Sequence, residues 1–181
     1  MYKVSLIVPI YGVERYIRQF AESALGQTYA DMQFVFVNDG STEAFEPIFD
    51  KVRAIPECTL LVHEVNKGKG AALKTAFQYF LDNREDKTCI VSADADGQHL
   101  TKDIVATALA SKERGQVVLG VRNFNDPKVP KRSKMGNQIT CGVFRLFFGM
   151  KIQDTQTGLR AFPTKYLQDI LEADGDRYEY E

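Results

Sequence analysis

The chain has 181 residues, with 23 Lys and Arg against 24 Asp and Glu, and an ordinary globular composition without disordered or fibrous bias. This is one domain, or a large part of one, long enough to bury a real core; its nearly cancelled global charge says nothing about nucleic acid, and no nucleic-acid partner is expected. No stretch approaches the roughly 18 apolar residues of a membrane-spanning helix, and the opening run MYKVSLIVPI is too short for a signal peptide and reads as a strand.

Val4 to Pro9 is a continuous apolar run of the kind buried on both faces of a parallel sheet. Val13 to Leu25 follows with helical spacing (Val13, Ile17, Phe20, Ala21, Ala24, Leu25). Phe34 to Val37 reads as a second strand, closed by Asn38-Asp39-Gly40-Ser41-Thr42, a cluster that turns the chain and caps a helix over Ala44 to Val52. Thr59 to Val62 is a third strand, and Gly70 to Leu81 a helix with Ala71, Leu73, Ala76, Phe77 and Phe80 as its apolar set. Cys89 to Val91 opens a fourth strand running toward Asp94 and Asp96. A helix from about Thr101 to Lys112 and a fifth strand, Val117 to Val121, come next. Strands alternating with helices of this length predict right-handed βαβ units and a doubly wound α/β domain.

Beyond residue 121 the pattern changes. Asn123 to Lys131 is a loop, Ser133 to Phe148 a helix with Met135, Ile139, Val143, Leu146 and Phe147 on one side, and Thr164 to about Glu172 a last helix. The ending, Asp176 to Glu181, alternates like a strand cut off before its partner, which predicts a chain truncated at this end. Positive charge collects at Lys128, Lys131, Arg132 and Lys134, and negative charge at Glu172, Asp174, Asp176, Glu179 and Glu181. Cys58, Cys89 and Cys141 lack metal-type spacing, and their odd number fits reduced thiols in a cytoplasmic setting.

In open α/β sheets, ligands bind beyond the carboxyl ends of the strands. Those ends deliver Pro9 and Tyr11, Asp39, the turn Asn66-Lys67-Gly68-Lys69-Gly70, the stretch SADADGQH with Asp94, Asp96 and Gln98, and Arg122. If the fourth strand continues to Asp96, alternation points both carboxylates the same way, where a divalent cation would relieve their repulsion. Taken singly, each has a blander explanation: a turn at Asp94, a cap at Asp39, a tight connection at the lysine-glycine turn, a solvated charge at Arg122. His63 and His99 lack metal-ligand partners and read as supporting or surface residues. Together the set fits a nucleoside diphosphate and a metal. Rival motifs fail on spacing. The dinucleotide fingerprint would need Gly or Ala where Leu73 stands, no GxxxxGK[ST] is present, and a calcium loop opening at Asp94 would need an acid at Val105.

At these residues a resemblance becomes specific. VPIYGVERYIRQFAESALGQTYADMQFVFVNDGST resembles the N-terminal signature of family 2 glycosyltransferases, and SADADGQH resembles their DXD metal-binding motif. NKGKGAALKTAF, LGVRNF, GNQITCGVF and DTQTGLRAF are similar to the dolichol-phosphate mannosyltransferase and dolichyl-phosphate glucosyltransferase branch. The resemblance implies a doubly wound, mostly parallel sheet of the nucleotide-diphospho-sugar transferase type (GT-A, Rossmann-like). It implies one catalytic domain over residues 1–181, with 1–121 on the donor side and 122–181 on the acceptor side. It assigns Pro9, Tyr11, Glu14, Asp39, Lys69, Asp94, Ala95 and Asp96 to the nucleotide-sugar. Asp94, Asp96 and Gln98 would hold Mg or Mn, and Arg122, Arg132 and Asp154 would serve the reacting groups. Where the branch often has an acid two residues after the tyrosine, this chain has Val13, with Glu14 one place later.

The expected reaction is inverting transfer of a hexose from a UDP- or GDP-sugar to polyprenyl phosphate. A phosphate nucleophile needs no strong base, whereas a saccharide hydroxyl would need one, with Asp154 the candidate. The basic cluster and the aromatic positions Phe144, Phe147 and Phe148 would meet a membrane surface at the cytoplasmic face; an ordinary loop and core helix is the competing expectation. Transfer to a saccharide and a silent nucleotide-sugar-binding module remain as alternatives.

Overall fold

The computed structural model describes residues 4–12, 32–83, 89–94, 99–124, 129–177 and 180. The helix expected over Val13–Leu25 lies outside them. A six-stranded sheet has the order β3-β2-β1-β4-β6-β5. Strands β1 (Val4–Ile10), β2 (Met32–Asp39), β3 (Cys58–His63) and β4 (Cys89–Ser92) are parallel. Strand order reverses at β1, so the crevice between β1 and β4 is where such a sheet binds its ligand.

Period-2 alternation divides the core between the two faces. Leu6, Val8, Phe34, Phe36 and Val91 pack with Phe49 and Val52 of α1 (Glu46–Arg53) and with Ile104 and Ala108 of α3 (Thr101–Arg114). The interleaved Ile7, Val35, Val37 and Ile90 pack with Ala72, Leu73, Ala76 and Phe77 of α2 (Lys69–Asn83) and Leu167 of α5 (Leu167–Glu172). Each fully buried side chain of this size contributes about 1.5–3 kcal/mol, which makes β1, β2 and β4 the rigid base of the rim.

Three expectations are corrected. First, β4 ends at Ser92, so Asp94 follows the strand and is not aligned by its pleat. Second, DTQTGLRAF contributes an unforeseen strand, β6 (Arg160–Pro163), antiparallel to both β4 and β5 (Val118–Leu119) and lying between them. The fifth strand shrinks to two residues because Val117 and Val121 are exposed rather than paired. Third, Asp176 and Arg177 form a bend and Tyr180 belongs to a helical turn, so no strand forms at these positions.

Helix α4 (Lys131–Phe148) starts after Pro130 and stops at Gly149, whose φ of 66° suits the left-handed cap that glycine adopts. It is not the core helix its apolar period allowed. Asn137 is its only buried residue, while Ile139, Leu146 and Phe147 are 61%, 79% and 73% exposed. Among the described residues no helix is long and apolar enough to cross a membrane.

Candidate active site

All parallel strands end on one rim, and because β6 runs antiparallel, the loop before it returns to that same rim. Pro9 and Tyr11 finish β1, with Tyr11 exposed. Asp39 finishes β2 and is buried. Its Oδ1 accepts the Lys67 N–H at 2.9 Å and lies 2.7 Å from His63 Nδ1, and its Oδ2 accepts the Gly68 N–H at 2.9 Å. The parallel register sets Asp39 level with His63, and the Thr75 hydroxyl stands 2.9 Å from His63 Nε2. Asp39 therefore tethers the lysine-glycine turn and with it the start of α2. Close packing is built in here: a Cβ on Gly40, at φ 75°, would overlap the Val65–Asn66 backbone.

Within that turn the glycines make room for the chain itself. A Cβ on Gly68 would stand 2.8 Å from Arg177 Cγ, and one on Gly70 would stand 2.7 Å from Tyr180 Cβ. The Asp176 carbonyl accepts the Ala71 N–H at 2.9 Å, satisfying one of the free donors of the first turn of α2.

Lys69 leaves this turn and reaches across to β4, where its ammonium donates to Asp94 Oδ1 at 2.6 Å. His99 Nε2 lies 3.9 Å from Asp94 Oδ2. Burial pushes the Asp94 carboxyl up, but His99 and the Lys69 charge outweigh it and hold the group well below the usual carboxylate range. From below, Gly158 packs so closely that a Cβ there would overlap the Asp94 carboxylate, and the Gly158 carbonyl accepts from Ser92 Oγ at 3.3 Å. Asp94 is thus a fixed, ionised carboxylate facing the crevice, with the donor chemistry that suits Mg or Mn. Among the described residues no three His, Cys, Asp or Glu side chains gather as a metal site. Asp96 and Gln98, the other expected ligands, lie outside the described residues, as do Glu14 and Ala95.

Arg122 follows β5. Its Nε donates to Asp154 Oδ2 at 2.7 Å and its Nη2 to Asp154 Oδ1 at 2.9 Å, while the guanidinium stacks 5.0 Å from the centre of the Phe124 ring. Asp154 is fully buried and also accepts the Gln156 N–H at 3.0 Å and the Arg122 N–H at 3.3 Å. Burial raises its pKa, and the guanidinium and the two N–H bonds outweigh burial and lower it. The Arg122 guanidinium, 41% exposed, also feels the Asp94 charge. Arg132 is exposed on the first turn of α4, apart from this cluster.

Several supporting residues went unrecognised in the sequence. Buried Asn137 donates from Nδ2 to the Gln153 carbonyl at 2.7 Å and accepts the Thr155 N–H at Oδ1 at 3.2 Å, bracketing Asp154 from α4. Thr157 donates to the Gly120 carbonyl at 2.5 Å and accepts the Leu159 N–H at 3.2 Å. His63, expected as a supporting or surface residue, closes the Asp39 tether. Asn137 lies off the apolar face of α4, and its place in GNQITCGVF was the available signal for it.

The six-stranded sheet and its rim have the GT-A transferase fold. Over 92% of the chain they match S. aureus TarS 1–349 in complex with UDP-GlcNAc (TM-score 0.62, 22% identity), with 47% of that protein covered. Over 97% they match the mannosyltransferase PcManGT from Pyrobaculum calidifontis in complex with GDP-Man and Mn2+ (TM-score 0.63, 20% identity, 50% of that chain). The glycosyl transferase family 2 profile matches residues 5–171, and the chain belongs to that family. Among curated relatives, glycosyltransferase GlyA of Streptococcus pneumoniae serotype 4 is 30% identical over 122 residues, which are 67% of this chain and 17% of that protein. UDP-N-acetylglucosamine–dolichyl-phosphate N-acetylglucosaminyltransferase of Methanococcus voltae is 27% identical over 187 residues, 93% of this chain and 72% of that one. The chain spans about half the length of the solved structures it matches.

Proposed function

We propose that the chain is the catalytic domain of an inverting, metal-dependent hexosyltransferase, carrying a sugar from a UDP- or GDP-linked donor to a polyprenyl phosphate. The observation that carries this reading is one ionised carboxylate, Asp94, paired with Lys69 at 2.6 Å, on the rim that also carries the Arg122 guanidinium held by Asp154. Loss of a nucleoside diphosphate builds negative charge on the leaving phosphates, and fixed cations stabilise that charge more in the transition state than in the ground state. In this reading Tyr11 and Pro9 face the base, and Asp39 shapes the nucleotide pocket through the turn it tethers. Asp94, with Asp96 and Gln98, holds Mg or Mn, which when bound neutralises charge on the leaving diphosphate. Arg122 meets that diphosphate or the acceptor phosphate, and Asp154 keeps it aimed. Residues up to 121 serve the donor and residues 122–181 the acceptor.

The state of Asp154 favours a phosphate acceptor over a saccharide hydroxyl. A base must reach the proton it removes, and Asp154 is buried with both oxygens bonded and its pKa lowered. A phosphate monoester brings its own charge near neutrality. The dolichyl-phosphate relative and the exposed apolar face of α4 beside Lys131 and Arg132 add support for a lipid acceptor at the cytoplasmic membrane face. The test is transfer of radiolabelled sugar from UDP- and GDP-sugars, with Mn2+, to polyprenyl phosphate or to oligosaccharide. Label in the lipid phosphate is expected. Label only in saccharide overturns the acceptor, and metal-independent binding unchanged in Asp94→Ala overturns the metal site.

A further inference from the structure

Beside the rim, the face of the sheet that packs on α2 and α5 is incompletely filled. Between Leu73 and Phe77 of α2, Leu119 of β5, Phe144 of α4 and Phe162 of β6 lies a cavity of about 310 Å3. Small-molecule sites have volumes of about 300–1,000 Å3, so this one is large enough to hold a compact ligand. Its walls are fixed where the Phe77 and Phe162 rings meet edge to face at 5.4 Å, and where the Tyr180 hydroxyl donates to the Ile170 carbonyl at 2.6 Å. Ala173, exposed just after α5, stands at its edge.

The polar part of the lining lies next to the reacting groups. Ser92 stands two residues before Asp94 and Leu119 three before Arg122, while Thr155 directly follows Asp154. Arg160, level with Ser92 in the β4–β6 pair, adds positive charge, and its Nε donates to the Thr157 carbonyl at 2.9 Å. The Thr155 hydroxyl is buried and has no hydrogen-bond partner among the described residues. Both features cost the folded state: a void forfeits dispersion contacts, and a buried hydroxyl left unpaired keeps its desolvation penalty. One ligand relieves both if it has an apolar body and an oxygen acceptor at the rim end. A saccharide does not, because the rings would leave most of its hydroxyls unpaired. We propose that this cavity receives the first isoprene units of a polyprenyl phosphate acceptor, whose phosphate stays at the rim and accepts from the Thr155 hydroxyl. The proposal rests on the lipid-phosphate reading of the acceptor.

The test is calorimetry on the whole chain with geranyl phosphate and ethyl phosphate, which share a headgroup and differ in the tail. Geranyl phosphate should bind at least about tenfold more tightly, a preference that burial of about two methylene groups already supplies. Ala173→Phe fills the cavity from an exposed position and should bring the two probes to within about threefold, with UDP or GDP binding in Mn2+ unchanged. Phe147→Ser, on the exposed face of α4, should leave the preference intact, which separates the cavity from adsorption on that helix. Thr155→Val should weaken geranyl phosphate about fivefold without lowering the urea midpoint, because the hydroxyl it removes has no partner to lose. Equal binding of the two probes, or a preference that survives Ala173→Phe, overturns the cavity alone. A dimer in sedimentation that Ala173→Phe disperses assigns the cavity to a second copy and overturns it too. Binding of neither alkyl phosphate, with UDP or GDP still bound, overturns the lipid-phosphate acceptor and the cavity with it.

Discussion

Replacing Asp154 with Asn tests the clamp on which Arg122 depends. The carboxylate accepts four bonds: two from the guanidinium, at 2.7 and 2.9 Å, and the N–H groups of Gln156 and Arg122, at 3.0 and 3.3 Å. Asparagine preserves the shape but replaces one acceptor oxygen with an amide that turns its own donors toward Arg122. Breaking a fully buried ion pair costs about 3–5 kcal/mol. Here Arg122 is 41% exposed and can rehydrate, so the cost falls to that of one or two lost charge-assisted bonds, about 1.5–3 kcal/mol. For a chain of this size that is a fall in Tm of roughly 3–12 °C.

The pH dependence supplies the decisive part. Because the Asp154 pKa is lowered on folding, its contribution is fully present above the unfolded value of about 3.9 and is lost as pH falls through the folded value. Urea unfolding of both proteins should show the full gap at pH 7 and a shrinking gap below pH ~4. A gap under about 0.5 kcal/mol at neutral pH, or one that does not narrow in acid, would refute the ion-pair account.

Other changes probe the rim and its surroundings. Gly158→Ala drives a methyl group into the Asp94 carboxylate, so Mn2+-supported UDP or GDP binding should weaken at least about tenfold at a stability cost of about 1–3 kcal/mol; unaltered affinity by calorimetry would sink the cradle. Asn137→Ala strips partners from the Gln153 carbonyl and the Thr155 N–H and should lower stability by about 2–3 kcal/mol in denaturant titration. A change within error would mean that this bridge does not hold the loop. Replacing Lys131 and Arg132 with Ala should reduce sedimentation with anionic vesicles by roughly tenfold or more, since each surface cation contributes about 1 kcal/mol. Unchanged binding would leave the start of α4 an ordinary surface.

Much of the fold was legible because β1, β2 and β4 are buried on both faces and so appear as unbroken apolar runs. That pattern alone lined up Tyr11, Asp39, Lys69, Asp94 and Arg122 as strand-end residues. β6 was illegible for physical reasons: four residues, one of them Pro163, carry too little periodicity, and their burial is decided by β4 and β5 rather than by their own composition. Helix α4 shows a second limit. Period 3.6 announces an apolar face without saying what that face meets, and here the sheet does not cover it. The tie between Asp39 and His63 depends on strand register, which is set by neighbours distant in sequence. Likewise, the glycines of the lysine-glycine turn suggest an opening for phosphate, yet Gly68 and Gly70 are packed against Asp176, Arg177 and Tyr180.

Because β6 lies between β4 and β5, a chain growing from its N-terminus cannot close its sheet when Val118 and Leu119 are made. Until Arg160–Pro163 emerges, β4 has one unpaired edge and β5 lacks a sheet partner among the described residues, a state open to wrong pairing with other chains. The same late step brings Gly158 under Asp94 and Asp154 against Arg122. Pairing of β6 therefore anchors the near end of the segment that supplies both the Asp94 cradle and the Arg122 clamp, while Leu167 and Tyr180, made later, still have to reach the core.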